Sequence, residues 1–165
     1  MTELRFPLEG YCLEEAEDSD NDYLLDTVEE SVVGSVPEEE AVASDLWISD
    51  ILTVMLDIRT TGDMENELYI LKDDRGRRAG LLWMGVSRDQ FTCDGTGYIL
   101  QIYVERCLRR RGLGKALMRS AEEWCREKGL FSMTLNVGSV NKTADKLYRS
   151  AGFRPRTVVM HKRLI

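Results

Sequence analysis

Residues 98–117 decide the fold, and they read Tyr98-Ile99-Leu100-Gln101-Ile102-Tyr103-Val104-Glu105-Arg106-Cys107-Leu108-Arg109-Arg110-Arg111-Gly112-Leu113-Gly114-Lys115-Ala116-Leu117. The β-branched and aromatic residues at the start predict a strand over 98–104. Beyond a basic loop with two glycines, apolar residues recur at helical spacing and predict a helix over about 112–128. This order favours anion binding, because the free N–H groups and the dipole of the helix start point at the loop.

The loop suits a diphosphate. Three arginines at 109–111 add positive charge, and glycines at 112 and 114 let the backbone approach phosphate oxygens without a Cβ clash. A dinucleotide fingerprint would need a small residue where Leu117 stands, and a P-loop would need Ser or Thr after Lys115 and glycine at 109. Both of these motifs are excluded, and a basic turn that merely caps the helix is the alternative interpretation.

Downstream of the helix, one further strand–helix–strand pattern is predicted. Alternating apolar and polar residues predict a strand over 131–137, parallel to the strand over 98–104 through a right-handed connection. Asn141 can cap a helix that ends at Gly152. A last strand is predicted over 157–160, Thr-Val-Val-Met.

Upstream, the hydrophobic period changes from helical to alternating. Strands over 68–71 and 79–86 flank a turn and predict an antiparallel hairpin. Before them, apolar spacing predicts helices over about 20–33 and from Pro37 to Gly62, the second interrupted near Ser44.

The predicted element order is β-α-α-β-β-β-α-β-α-β, an α/β fold with a mixed sheet (α+β in its antiparallel region), in one domain over residues 1–165. A chain of 165 residues with 43% hydrophobic content can bury one sizeable core without disulfides or metal. The four cysteines lack paired spacing and His161 is the only histidine, so no metal site is predicted. We expect a cytoplasmic protein with no membrane partner, because no apolar run approaches the roughly 20 residues of a membrane span and the N-terminus has no signal-peptide pattern.

Charge divides the chain in two. Residues 1–45 hold 15 acids and one base, whereas residues 46–165 hold 14 acids and 21 bases. The first segment therefore suits a cationic partner and the second an anionic one.

With these elements in place, the sequence resembles the GNAT superfamily of acetyl-CoA-dependent N-acetyltransferases. The family signature [Q/R]-x-x-G-x-[G/A] between the fourth strand and the third helix is matched by Arg109-x-x-Gly112-x-Gly114. A second family pattern is matched by Asn141-x-x-Ala144-x-x-Leu147-Tyr148-x-x-x-Gly152-Phe153. The resemblance is strongest over 67–165, which would form the acetyl-CoA-binding core, while residues 1–66 would form an acidic acceptor-side region.

The resemblance implies roles for particular residues. Strand backbone groups would pair with the pantetheine arm, loop amides would hold the pyrophosphate, and Asn141 would hydrogen-bond near the arm. Tyr148 would act as the general acid that protonates the departing thiolate. The residues assigned to the cofactor are Ile102, Tyr103, Val104, Arg109, Arg110, Arg111, Gly112, Leu113, Gly114, Lys115 and Asn141.

In the mechanism that the resemblance implies, an amine attacks the acetyl-CoA carbonyl directly, and a main-chain N–H near Val104 stabilises the oxyanion. The base is where the sequence departs from the family. One branch has a base-forming glutamate where Asn136 stands, and another has one where Tyr98 stands. Glu105 is the nearest carboxylate and a candidate base, with a water relay as the alternative.

The acidic N-terminal region favours a cationic acceptor such as a protein N-terminus, a lysine side chain or a polyamine, although the same acids could simply form a solvated surface. A CoA-binding module without catalysis is the main alternative function. Nucleic acid is not expected as a partner, because the chain is acidic overall with a pI near 4.9. A homodimer is left open.

Overall fold

The computed structural model describes residues 4–38, 46–162 and 164, with Leu46 and Trp47 described by their backbone only. In the described residues the chain forms β1 (Tyr11–Glu15), α1 (Asn21–Val33), α2 (Leu46–Thr61), β2 (Asn66–Asp73), β3 (Arg78–Arg88), β4 (Gly95–Val104), α3 (Leu113–Glu127), β5 (Met133–Leu135) and α4 (Lys142–Ser150). One sheet has the strand order β1-β2-β3-β4-β5, in which all neighbours are antiparallel except the parallel pair β4 and β5.

The tight turn between β2 and β3 is set by Asp73 and Gly76. The carboxylate of Asp73 accepts hydrogen bonds from the amides of Arg75 and Arg77, at 3.0 and 2.9 Å. Gly76 adopts φ +72°, a left-handed conformation that glycine takes without a Cβ penalty. This turn brings the two strands into the predicted antiparallel hairpin.

Each face of the sheet carries its own core. On one face α3 buries Leu113, Leu117 and Trp124 against the sheet, and α4 packs beside it. On the other face α1 buries Leu24 and Val28 against the strands, with α2 alongside. The sheet therefore separates an α3–α4 face from an α1–α2 face.

The N-terminal segment belongs to the α3–α4 face. Leu4 is buried in that core, and the hydroxyl of Ser120 on α3 donates to the carbonyl of Arg5 at 2.8 Å. The acceptor-side region expected over residues 1–66 is therefore divided, because residues 4–8 pack against α3 while α1 and α2 cover the opposite face.

The predicted α/β fold with its mixed sheet is confirmed, as are the helix over 20–33, the hairpin, the strand over 98–104 and the helices on either side of β5. Strand β5 is shorter than the predicted 131–137, and Phe131 is fully exposed. The second helix does not include its predicted start at Pro37, since residues 37–38 lie outside any helix, and the expected interruption near Ser44 lies outside the described residues.

The predicted last strand over 157–160 is wrong. These residues form no regular structure, and Val158, Val159 and Met160 are 80%, 96% and 89% exposed. A strand needs a neighbour to satisfy its backbone groups, and in the described residues β5 pairs only with β4. High β-propensity in an isolated run is therefore not sufficient.

None of the helices in the described ranges combines the length and the apolar character needed to cross a bilayer.

Candidate functional site

Strands β4 and β5 run together for a short distance and then separate. Their pairs are Gly97 with Met133, Tyr98 with Thr134, and Ile99 with Leu135. Beyond Ile99 the register of β4 against β3 shifts by one residue at Leu100. We call the point beyond the Ile99–Leu135 pair the fork, and the stretch of β4 from Leu100 to Val104, which has no strand on its β5 side in the described chain, the open edge.

Alternate backbone groups of β4 face the open edge. The amide of Glu105 donates to the carbonyl of Ala79 on β3 at 2.9 Å, so the preceding carbonyl, that of Val104, points away from β3. By the alternation of an antiparallel ladder, Ile102 and Val104 face the open edge. By the same alternation, the N–H and C=O groups of Tyr103 are directed toward β3, so of the three predicted strand residues this one does not offer its backbone to a ligand at that edge.

The loop between β4 and α3 leaves successive backbone N–H groups without a hydrogen-bond acceptor among the described residues. Gly112 and Arg110 adopt left-handed conformations, with φ +84° and +64°. The first helical amide to bond to a backbone oxygen is that of Ala116, to Gly112 at 3.0 Å. Among the described residues, the amides of 110–115 donate no hydrogen bond, and they belong to the end of the loop and the first residues of α3, where an anion site is expected.

Leu113, the first residue of α3, anchors this loop. Its side chain is buried in the core between α3 and the sheet at 1% exposure, while its neighbours at 109–112 are exposed. The hydrophobic anchor holds the helix start in place, so the surrounding amides keep a fixed arrangement.

The loop arginines divide into two kinds. Arg109 is engaged within the protein: its Nε donates to the carbonyl of Val104 at 2.9 Å, and its Nη2 lies 2.9 Å from Glu30. Arg110, Arg111 and Lys115 are exposed and form no ion pair within the described residues of the chain. These three cations are available to an anionic ligand.

Glu30 of α1 joins the first helix to the end of β4. Its carboxylate accepts from the hydroxyl of Tyr103 at 3.0 Å and from Arg106 and Arg109, both at 2.9 Å. Burial tends to raise the pKa of Glu30, but the bonds from the two arginines and the tyrosine outweigh it and lower the pKa. Sequence reasoning missed this residue, since no local pattern links positions more than seventy residues apart.

Helix α4 packs tightly on the start of α3. A Cβ built on Gly114 would lie 3.2 Å from a methyl carbon of Leu147, which is tighter than an ordinary contact. The absence of a side chain at Gly114 thus lets α3 and α4 approach each other closely.

Tyr148 follows Leu147 on α4 and packs with the α3–α4 core. Its ring meets that of Phe153 edge-on, with centroids 6.0 Å apart. Burial raises the pKa of Tyr148 to about 12. No hydrogen bond of its hydroxyl occurs among the described residues, so this neutral phenol has no internal acceptor for its proton there.

Asn141 caps α4. Its Oδ1 accepts from the amide of Ala144 at 3.1 Å, which confirms the predicted cap. Its Nδ2 lies 3.4 Å from the hydroxyl oxygen of Ser35, at the end of α1. The acceptor atom of this amide is thus already used by the helix.

Glu105 lies at the loop end of β4 rather than at the fork. Its carboxylate accepts the hydroxyl of Tyr23 at 2.7 Å, and burial together with this bond raises the pKa of Tyr23. Roughly 20 Å of strand separates Glu105 from Ile99, at about 3.3 Å per residue. The geometry therefore does not favour Glu105 as a base for chemistry at the fork.

Tyr98 and Asn136 meet beside the fork. The Nδ2 of Asn136 donates to the hydroxyl oxygen of Tyr98 at 2.9 Å. These are the two positions where branches of the family have a base-forming glutamate. In this chain they contact each other, and neither holds a carboxylate. No group of three or more metal-ligating side chains occurs in the portion of the chain that the structure describes.

Known proteins resemble this chain in sequence. The sequence model of the acetyltransferase (GNAT) family matches residues 11–153. An uncharacterised N-acetyltransferase of Bacillus subtilis, YycN, is 26% identical over 129 residues, which is 78% of each chain.

Solved structures share the fold. An acetyl transferase of Pyrococcus furiosus has a TM-score of 0.78 at 22% identity, covering 93% of this chain and 99% of that one. The YycN structure has a TM-score of 0.75 at 23% identity, covering 94% and 99%. AAC(6')-Iy in complex with the bisubstrate analogue CoA-S-monomethyl-acetylneamine has a TM-score of 0.66 at 18% identity, covering 93% and 98%.

Proposed function

Because the chain belongs to the acetyltransferase (GNAT) family, we propose that it transfers the acetyl group of acetyl-CoA to a cationic primary amine by direct attack in a ternary complex. The observation that carries the proposal is the run of amides at 110–115 that donate no hydrogen bond among the described residues, next to an open strand edge. We assign the whole chain to one catalytic domain, with the α3–α4 face binding the cofactor and the α1–α2 face receiving the acceptor.

The pyrophosphate would be held by the amides at 110–115, with Arg110, Arg111 and Lys115 supplying positive charge. The peptide-like pantetheine arm would pair with the backbone of Ile102 and Val104 along the open edge, as an added strand does. Because the arm is long and starts at the loop, the thioester would lie towards the fork.

Acetyl transfer would then proceed without a covalent acetyl-enzyme. The neutral amine attacks the thioester carbonyl, and an N–H of the open edge stabilises the oxyanion. The amide of Ile102 is better placed for this role than that of Val104, since Val104 lies against the phosphate loop. Tyr148 donates its proton to the departing thiolate, and its raised pKa keeps that proton in place at neutral pH.

A cationic acceptor is supported by the outer surface of α1 and α2. Five acids there are exposed and form no ion pair among the described residues: Asp22, Asp26, Glu29, Asp50 and Asp57. Such a surface attracts cations and repels anions, which raises the encounter rate of a basic acceptor at low salt.

An amine panel tests the proposal. Purified protein with saturating acetyl-CoA would be assayed against spermidine and against basic and acidic peptides of equal length with free N-termini. We expect the basic acceptors to have the higher kcat/KM and that advantage to shrink as salt rises. Preference for the acidic peptide would contradict a cationic acceptor, and absence of transfer to any amine would contradict the enzymatic assignment.

A CoA-binding module without catalysis is the second candidate, and the observation that favours it is the Tyr98–Asn136 contact, which leaves the fork without a carboxylate. The same panel separates the two functions, because such a module would bind CoA and acetylate nothing.

A further inference from the structure

Tyr98 and Asn136 present their side chains on the α1–α2 face. Ile99 and Leu135, the last pair before the fork, both pack into the core under α3. Side chains alternate along a strand, so Tyr98 projects from the opposite face, and Asn136, which follows β5, lies on that face because it bonds to the Tyr98 hydroxyl. Their hydrogen bond therefore lies on the acceptor side of the sheet, immediately beside the gap through which an acceptor could reach the cofactor.

The groups around this contact are neutral. Across the gap, the side-chain amide of Gln101 donates to the hydroxyl of Ser31 at 2.7 Å and to the carbonyl of Thr27 at 3.3 Å. A Cβ built on Gly138 would lie 2.3 Å from the carbonyl oxygen of Ser35, so the residues just after α1 lie directly against the segment after β5.

Two carboxylates on this side of the sheet are held by partners at the other end of β4. Glu30 holds two arginines and a tyrosine, and Glu105 holds Tyr23, both at the loop end of β4. An amine at the fork would therefore meet hydroxyl and amide groups rather than a negative charge.

Neutral acceptors of hydrogen bonds suit the attacking form of an amine. The Oδ1 of Asn136 and the remaining lone pair of the Tyr98 hydroxyl can accept the N–H groups of a neutral amine, which leaves its nitrogen lone pair directed elsewhere. A carboxylate in the same place would stabilise the ammonium form and raise the pKa of the amine, which removes the nucleophile. Burial raises the pKa of Tyr98, which keeps the phenol neutral as well.

We propose that Tyr98 and Asn136 bind the acceptor amine in its neutral form and direct its lone pair through the fork to the thioester. This inference rests on the proposed acetyl transfer, and it names the acceptor-binding groups of that same site. The acidic outer surface attracts the ammonium form of the acceptor. The ammonium loses its proton to solvent, and Tyr98 and Asn136 then bind the neutral amine. The rate should then follow the ionisation of the amine itself, with no added dependence on a carboxylate of the enzyme.

The test compares Tyr98→Phe, Asn136→Ala and Asn136→Asp with the wild type. Tyr11→Phe is the matched control, because Tyr11 packs against Phe6 on the opposite face. The acceptor would be the best amine of the panel, or spermidine if none is turned over. Three quantities are measured: acceptor affinity for the CoA-saturated protein by calorimetry, CoA affinity, and the pH dependence of kcat at saturating acceptor.

We expect Tyr98→Phe and Asn136→Ala each to weaken acceptor binding about two- to twelve-fold, the effect of one neutral hydrogen bond, with CoA affinity unchanged. Asn136→Asp should move the rise of kcat with pH upward by about one unit or more, because kcat reports the ionisation of the amine in the complex. Acceptor affinity unchanged in both neutral variants, or no amine binding by the wild type, would overturn the inference. If the wild type bound the amine but did not acetylate it, the proposed function would be refuted. The comparison of acceptor affinities would still decide whether Tyr98 and Asn136 bind the amine.

Discussion

Replacing Tyr148 with phenylalanine should separate catalysis from folding. The ring packs in the α3–α4 core and against Phe153, contacts that phenylalanine retains. The hydroxyl forms no hydrogen bond among the described residues, so its removal leaves no partner unsatisfied. We expect the free energy of unfolding to change by less than about 0.5 kcal/mol, a shift of about 1–2 °C in Tm.

The effect on turnover should be much larger. A pKa of about 12 leaves only about one Tyr148 in 10⁵ ionised at pH 7, so nearly every molecule carries the proton that the thiolate needs. General acid catalysis by a positioned side chain contributes about 10²- to 10⁴-fold. We therefore expect kcat to fall at least about 100-fold, which corresponds to about 2.7 kcal/mol of lost transition-state stabilisation.

The assay is the release of free thiol from acetyl-CoA in the presence of the best acceptor, with calorimetry of CoA binding alongside. Tyr11→Phe serves as the control, because it removes a hydroxyl from the same core without touching the proposed site. If Tyr148→Phe kept wild-type kcat, or lost activity only through weaker CoA binding, the general-acid role would be wrong.

Three further predictions concern the loop, the candidate base and alkaline stability. Gly112→Ala should weaken CoA binding about 5- to 30-fold in calorimetry. At φ +84° a residue with a Cβ is strained by about 1–2 kcal/mol although the Cβ meets no atom within 4 Å, so the free loop should relax to another conformation and CoA binding would have to restore the strained one; an unchanged Kd would contradict this. Glu105→Gln should keep kcat within about threefold of the wild type, whereas a fall at the scale of about 100-fold would identify it as the base after all. The free energy of unfolding should decline from about pH 10 towards pH 12, because burial raises the pKa of Tyr148 and Tyr103 to about 12 and the unfolded chain releases these protons first. In Tyr148→Phe this decline should be shallower, and an identical slope in chemical denaturation would count against the raised pKa.

Local patterns were sufficient for most of the fold. The strand over 98–104, the helix after Gly112 and the cap at Asn141 depend on residues within a few positions of one another, and all three are confirmed. The segment over 157–160 shows the limit of such patterns. Its valines have the propensity of a strand, but pairing is a property of the sheet, and in the described chain no neighbour adjoins it.

The candidate site was predictable only where its residues are contiguous. The phosphate loop could be read from glycine and arginine spacing, because a helix start and its loop follow each other along the chain. The roles of Glu30 and of the Tyr98–Asn136 contact could not, since each depends on residues 38 or more positions apart that only the folded sheet brings together. Arg109 illustrates the same point, because its place in the motif indicated phosphate binding whereas its guanidinium contacts Glu30 and the Val104 carbonyl.

The most direct test of the account is isothermal calorimetry of the purified protein with CoA and, in parallel, with pantetheine, which lacks the phosphates. If the amides at 110–115 grip the pyrophosphate, CoA should bind with saturation in the range of about 1 μM to 1 mM that is usual for enzyme substrates, and pantetheine should bind far more weakly. Absence of saturable heat with CoA, or equal affinity for the two compounds, would contradict the claim that this helix start is a pyrophosphate site.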